Sequence, residues 1–420
     1  MLVSQLAFLG IAFATATADY NERYAEPIDA GSDVDWSNVT VVTAQQIADT
    51  GTGGQLFATT DGGETVYYDD RFATYWDVDP VPGTRATVVV ATEHPATCDG
   101  CRRNVVERVN LSTGERTRLH SHRAEEGRWH DVDLIGTDEL LVADFDDDAV
   151  VRVNASSGIR TWSWQVEAAF PIESGGSYDG DWAHLNDVEL LPDGRVMASL
   201  RNHDRVVFLN ESGVMPSWTL GDEDDHDVLY EQHNPDYVPA SHGGPAVLVA
   251  DSENDRIVEY QRRDGEWVQS WEFTHPTVAW PRDADRLPNG HTLVTSSTGD
   301  RVFEIDTDGE IVRSLTVDLP YEAERLGTPP ESGGGEAAAA LKLSSSRATE
   351  RGDSGSVQPL VSVVPSRIRN GLLFVLPPWV GGTETAAVVG TIGLSIAWAI
   401  LEWHWRDPTV SVTWPIRIRW

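Results

Sequence analysis

Residues 104–115 read N-V-V-E-R-V-N-L-S-T-G-E, and the phrase returns as A-V-V-R-V-N-A-S-S-G-I at 149–159 and R-V-V-F-L-N-E-S-G-V at 205–214. It comes back again as R-I-V-E-Y-Q-R-R-D-G-E at 256–266 and R-V-F-E-I-D-T-D-G-E at 301–310. Each copy alternates apolar and polar residues, closes on a tight turn and sets out again, the pattern of a β-hairpin. The surrounding body, residues 36–326, carries almost no helical periodicity and is cut into short β-rich runs by Gly, Asp and Asn turns.

An earlier strand accompanies the hairpin with equal regularity: E-L-L-V-A-D (139–144), R-V-M-A-S-L (195–200), A-V-L-V-A-D (246–251) and H-T-L-V-T-S (291–296). With an inner strand before it, each unit holds four strands in roughly 45–55 residues, the signature of a propeller blade. Five units start near Tyr75, Trp129, Trp182, Gln232 and Trp280, and a weaker one, 55–70, precedes them. The expected fold is all-β: a six-bladed β-propeller, with blades stacked radially because no sheet can bury both faces alone.

Three units open on a histidine: His130 in W-H-D-V-D-L-I, His184 in A-H-L-N-D-V-E-L-L and His233 in Q-H-N-P-D-Y-V. The fourth opens W-P-R-D-A-D-R-L, with Arg282 in the slot. Equivalent positions in a closed repeat converge, so these side chains are expected at the channel mouth. Asn186 and Asn234 lie beside them, and S-L-R-N-H-D-R adds Arg201, Asn202 and His203. Such a cationic, donor-rich pocket suits a small anion, because a guanidinium offers a planar fork to two oxygens. A neutral imidazole can act as nucleophile and an imidazolium as acid. Three histidines also make a zinc site. A guanidinium beside a dication argues against the metal, and none is expected. Histidines that merely cap blade ends are the plainer reading.

The chain has 67 acidic residues against 31 basic ones, a net charge of −36, and Lys342 is its one lysine. A dense carboxylate surface depleted of lysine reads as that of a halophilic, archaeal protein. Its field repels polyanions, which excludes nucleic acid as a partner. The runs Asp146-Asp147-Asp148 and Asp222 to Asp225 read as solvated surface.

Both ends suggest a membrane. Residues 1–35 hold a short apolar, signal-like or anchor segment and a lead-in. Residues 327–366, rich in Gly, Ala, Ser and Pro, read as a flexible linker. Residues 367–420 form a membrane-associated segment, with a transmembrane helix expected at about 385–405. Trp398, Trp403 and Trp405 lie in its downstream half; Arg406, Arg417 and Arg419 follow and place the C-terminus in the cytoplasm, the propeller outside. Cys98 and Cys101, the only cysteines, are expected to form a local disulfide in an exported chain. Sequons at Asn38, Asn110, Asn154 and Asn210 read equally as glycosylation acceptors and as turn residues.

The phrases W-A-H-L-N-D-V-E-L-L, M-A-S-L-R-N-H-D-R-V-V, W-T-L-G-D and Y-E-Q-H-N-P-D-Y-V, in this order, resemble the arylsulfotransferase family. These are the PAPS-independent aryl-sulfate sulfotransferases, here in a haloarchaeal, membrane-anchored form. The resemblance covers about 36–326 and implies a six-bladed propeller that moves a sulfuryl group from an aryl sulfate donor to a phenolic acceptor. It implies that His233 forms a sulfohistidine, that His184 and Arg201 hold the sulfuryl oxygens and that His130 is a further pocket histidine. No cofactor is implied. Bacterial members carry an N-terminal β-domain that helps dimerisation; about 35 residues precede the propeller here. Two other readings stand beside this one: a non-catalytic surface propeller binding a ligand or protein, and a metal-dependent hydrolase on the same fold.

Overall fold

The computed structural model describes residues 34–45, 53–95, 101–124, 127–329, 333–347, 370–371 and 382–406. Residues 26–351 and a second unit, 1–25 with 352–420, are separately compact.

The first unit is a six-bladed β-propeller, each blade an antiparallel sheet of four strands or more. Blade 1 starts with the inner strand Thr74–Pro80, blade 2 with Trp129–Ile135, blade 3 with Leu185–Leu190, blade 4 with His233–Val238 and blade 5 with Pro281–Arg286. Blade 6 joins the chain's two ends: its inner strand Pro320–Arg325 pairs with Thr40–Ala44, which continues to Gln55–Thr59 and Thr65–Asp69. The weak unit at 55–70 thus supplies only the outer half of its blade.

The apolar residues of the hairpins pack between neighbouring sheets. Val89 and Ala91 of blade 1 meet Val132, Leu140 and Val151 of blade 2. Met197 and Phe208 of blade 3 meet Val247 and Val258 of blade 4. This inter-blade burial supplies the main favourable term of the fold.

The inner strands differ from ordinary core strands in being acidic: D-V-D at 77–79, D-V-D at 131–133, D-V-E at 187–189, D-A-D at 283–285 and E-A-E at 322–324. Their carboxylates tie each blade to the next. The Val132 amide donates to Asp77 at 3.1 Å, Val188 to Asp131 at 2.5 Å, Leu190 to Asp133 at 2.7 Å, Ala323 to Asp283 at 3.1 Å and Val78 to Glu322 at 3.2 Å. Each pairing stays at one depth, so the acids form two tiers around the axis. At blade 4 the register slips by two residues. Glu189 of the lower tier accepts from Tyr237, and Asp236 accepts from Arg286, both at 3.2 Å. Asp236 therefore belongs to the lower tier.

Two expectations at the C-terminal side change. Within 327–366, residues 333–347 are not a free linker: Ala337 and Ala338 are buried, and Ser346–Arg347 adds a parallel fifth strand to blade 4. The reason is local. A one-turn helix, Ala338–Leu341, presents small residues, and the buried Glu259 carboxylate accepts from the Ala338 amide at 2.9 Å. The transmembrane helix expected at about 385–405 is also corrected. A helix does run Gly382–Arg406, yet among the described residues no helix is long and apolar enough to cross a membrane. Polar residues at both of its ends leave an apolar run from Ala386 to Leu401, about 24 Å at 1.5 Å per residue, against about 30 Å of hydrocarbon.

Candidate active site

The inner strands do converge at the channel mouth, in the order of the blades. The His130 ring lies 4.5 Å from Trp76 of blade 1 and 5.1 Å from His184 of blade 3; His184 lies 6.4 Å from His233. Arg282 of blade 5 reaches Nε2 of His233, and its guanidinium is 5.9 Å from the Tyr321 ring of blade 6. Tyr321 closes the circle, 5.3 Å from Trp76, 6.2 Å from His130 and 6.4 Å from His233. A bulge or register shift interrupts the inner strand's pairing beside the slot residue in every blade, as at Trp76, Arg282 and Tyr321. An extra residue in one strand re-aims its side chain out of the sheet.

The histidines are not strictly equivalent. Counting upward from the acid tiers, the slot residues are Trp76, His130, Asn186, His233, Arg282 and Tyr321. His184 stands two residues above, held in the left-handed region at φ 49°. Asn186, fully buried, donates through Nδ2 to the Gln232 carbonyl at 2.8 Å and ties the His184 segment to the His233 segment.

Each of the three histidines has an acceptor within hydrogen-bond distance of Nδ1, to which we assign the proton; Arg201 and Arg282 also bring a guanidinium nitrogen 3.3 and 3.1 Å from Nδ1 of His184 and His233. His130 Nδ1 donates to the Leu185 carbonyl at 3.0 Å. His184 Nδ1 lies 2.7 Å from Asp181, whose carboxyl, despite burial, is held down to about 2 by His184 and Arg201 and so takes that proton's hydrogen bond. His233 Nδ1 is 2.8 Å from Ser252 Oγ and 3.2 Å from the Glu231 carbonyl. Ser252 spends its own proton on the Pro281 carbonyl at 2.6 Å, so its oxygen is the acceptor. Nε2 of each ring is then the unprotonated nitrogen, and that of His233 accepts from Arg282. Burial, reinforced by neighbouring cations, lowers all three: His184 to about 4, His130 and His233 well below the ordinary imidazole value.

Two arginines supply positive charge. Arg201 ion-pairs with the buried Glu231, donates to Asn202 Oδ1 at 3.1 Å and lies 3.3 Å from His184 Nδ1. Arg282 is different. It is 5% exposed and stacks 3.7 Å from the Trp280 ring, and among the described residues no carboxylate forms an ion pair with it. Burial holds its guanidinium down to about 9.

Asn202 and Asn234 sit at the edge of the ring. Asn202 donates to the Asp181 carbonyl at 2.9 Å, fixing the partner of His184, and Asn234 is half-buried at φ 30°. His203 does not join the ring. It is fully buried against Phe170 and Trp182, with Nε2 3.1 Å from Ser174 Oγ, because the short 3-10 turn Arg201–His203 points alternate side chains apart. Trp76, Ser252 and Tyr321 were not foreseen. The phrase Y-E-A-E-R-L at 321–326, parallel to R-D-A-D-R-L at 282–287, is the signal that marks Tyr321 as a slot residue.

Outside the ring, Asp204, Asp224 and His226 bring three ligand atoms within 4.8 Å of one another, the one such group among the described residues. Cys101 is disulfide-bonded; its expected partner, Cys98, lies outside the described residues, as do the N-terminal apolar segment and the residues after 406. Asn110, Asn154 and Asn210 turn their side-chain oxygens onto the amides of Ser112, Ser157 and Ser212 in their own turns.

Residues 138–234 match the family model described as Arylsulfotransferase (ASST). That stretch contains His184, Asn186, Arg201 and His233 and excludes His130, Arg282 and Tyr321. No curated protein matches the chain. Among solved structures, the periplasmic gluconolactonase PpgL of Pseudomonas aeruginosa is 13% identical with a TM-score of 0.48, over 68% of this chain and 98% of that one. Virginiamycin B lyase from Staphylococcus aureus is 12% identical with a TM-score of 0.38, over 58% of this chain and 69% of that one.

Proposed function

We propose that the ring transfers a sulfuryl group from an aryl sulfate to a phenol, with His233 as the covalent carrier. The observation that carries this reading is Arg282: a buried cation with no carboxylate in ion-pair contact among the described residues, touching the unprotonated Nε2 of His233. A buried charge is costly until an anion meets it. A sulfuryl group on Nε2 would meet both residues at once. The family match over 138–234 supplies the same class of chemistry from sequence.

The Nε2 lone pair of His233 forms the N–S bond as the S–O bond to the aryl oxygen breaks, and the electron pair leaves on the phenolate. In the return step a second phenol gives its proton to Nε2 of His184, which Asp181 supports as a base, and its oxygen attacks sulfur. The N–S bond breaks, His233 regains its lone pair, and His184 passes the proton to the departed phenolate. Arg201 and Arg282 face the sulfuryl oxygens, where fixed donors lower the barrier. Trp76 and Tyr321 offer aromatic faces to the aryl groups. No step needs a nucleotide or a metal.

The disulfide at Cys101 supports a location outside the reducing cytoplasm, and the lysine-poor acidic surface supports work at high salt. The test is incubation with p-nitrophenyl sulfate without acceptor, followed by peptide mass spectrometry. One sulfuryl adduct on the His233 peptide, absent in His233→Ala, is expected. Full turnover in His233→Ala would overturn the reading.

A further inference from the structure

In five blades the slot residue is followed at once by an acid: Trp76 by Asp77, His130 by Asp131, Asn186 by Asp187, Arg282 by Asp283 and Tyr321 by Glu322. These five form the upper tier, one residue or about 3.3 Å of strand beneath the ring. All five are buried. Blade 4 breaks the pattern. His233 is followed by Asn234 and Pro235, and its first acid, Asp236, lies in the lower tier.

The upper tier has no cations of its own. Among the described residues no arginine forms an ion pair with any of the five, and Arg286, which follows Asp285, pairs with Glu259 at 3.2 Å. Tier and ring nevertheless act on common ground. The Tyr321 hydroxyl is within electrostatic reach of Arg282 and also of Glu322, Asp131 and Asp187. In the ring Arg201 is matched by Glu231, which leaves Arg282 as the cation without an ion-paired carboxylate. An incoming anion therefore meets one uncompensated positive charge, above carboxylates that are missing only behind His233.

We propose that the upper tier sets the charge of the substrate: the ring accepts a tetrahedral group bearing one negative charge, as in an aryl sulfate, and rejects one bearing two, as in an aryl phosphate. A guanidinium fork fits the oxygens of either, so shape does not make this choice. Charge does, because the repulsion from each carboxylate doubles with the second charge on the ligand. The missing acid behind His233 lets the one permitted charge sit over the carrier imidazole. Burial raises Asp283 to about 7, so that carboxyl is ionised at pH 8.5. The inference rests on the ring as an oxyanion site, the reading proposed above.

The test measures binding without turnover. Benzylsulfonate and benzylphosphonate hold their groups through carbon and cannot transfer them; at pH 8.5 they carry one and two charges. Titration calorimetry on the full chain, in fixed high potassium chloride, should find the sulfonate bound at least about tenfold more tightly. Asp283→Asn and Asp187→Asn should each tighten the sulfonate about threefold and the phosphonate about tenfold, the second gain being the square of the first. Asp187 Oδ1 holds no hydrogen bond, so its variant keeps the test open if Asp283→Asn misfolds. Asp264→Asn, in an exposed hairpin turn of blade 4, should change neither affinity. Equal affinities in the parent, a ratio that neither tier variant narrows, or the same narrowing in Asp264→Asn overturns the inference. A parent that shows this selectivity and transfers nothing from p-nitrophenyl sulfate upholds it and overturns only the transfer reading.

Discussion

His233 and Ser252 stand 2.8 Å apart, Nδ1 to Oγ, and the serine proton is already committed to the Pro281 carbonyl at 2.6 Å. A hydroxyl so committed can only accept. It fixes the imidazole as the Nδ1–H tautomer and turns the lone pair of Nε2 toward Arg282. On the proposed chemistry Ser252 is a positioning residue, acting on substrate through His233.

Ser252→Ala should lower kcat by about ten- to a hundredfold and leave KM nearly unchanged. Ser252→Thr should restore most of the loss. Steady-state kinetics on an aryl sulfate tests this, and a change in KM alone would contradict the positioning role.

Arg282→Gln should lower kcat/KM by about 10²–10³, as loss of one fixed donor does. The same variant should melt higher than the parent, because it removes a buried guanidinium with no carboxylate partner. Arg282→Lys should rescue poorly, since a point charge cannot present the fork. Kinetics paired with thermal melts separates the two effects.

His203→Phe should leave kcat/KM within about twofold of the parent. His203 touches Phe170, Trp182 and Ser174 and no member of the ring. The variant should nevertheless be less stable, by about 0.5–1.5 kcal/mol for the lost hydrogen bond to Ser174, whose hydroxyl keeps its bond to the Pro171 carbonyl. Denaturant titration beside the activity assay is the check.

The acid tiers give stability an unusual pH dependence. Burial raises Asp236 and Asp283 to about 7, and burial with neighbouring carboxylates raises Asp77, Asp131, Asp187, Asp285 and Glu322 well above the ordinary range. A carboxyl whose folded value is raised binds more protons folded than unfolded between about pH 4 and 7. Its contribution to stability therefore falls as pH rises through that window. The buried histidines, lowered toward 4 in the case of His184, work the opposite way, losing stability as pH falls below about 6.5. The carboxyls outnumber them. In chelator, the melting temperature should be higher at pH 5.5 than at pH 8.5.

Much of this was legible in the chain. The hairpin phrase and its companion strand repeat because every blade solves the same packing problem, so the six-bladed fold and the convergence of His130, His184, His233 and Arg282 follow from spacing. The depth of each residue does not. His184 and His233 open similar phrases, yet a two-residue slip in blade 4 sets His233 at ring level and His184 above it. Spacing counts residues along a strand, whereas depth is set by which amide meets which carboxylate on the neighbouring blade. Ser252 was hidden for the same reason: it comes from the end of a second strand and meets His233 only through pairing of Ala246–Asp251 with His233–Val238. His203 shared the phrase of Arg201, but a single 3-10 turn sends the two side chains to different surroundings.

Blade 6 has a further consequence. Trp76 comes from the first inner strand and Tyr321 from the last, and their rings lie 5.3 Å apart. A ribosome completes five blades before it makes the strand that joins them to the start of the chain. Contacts that bridge so long a stretch form slowly. A nascent chain released before residue 320 would hold all three histidines and both arginines and still lack the wall behind them. The ring of histidines and arginines thus acquires its last wall only once the strand Pro320–Arg325 has been made and paired.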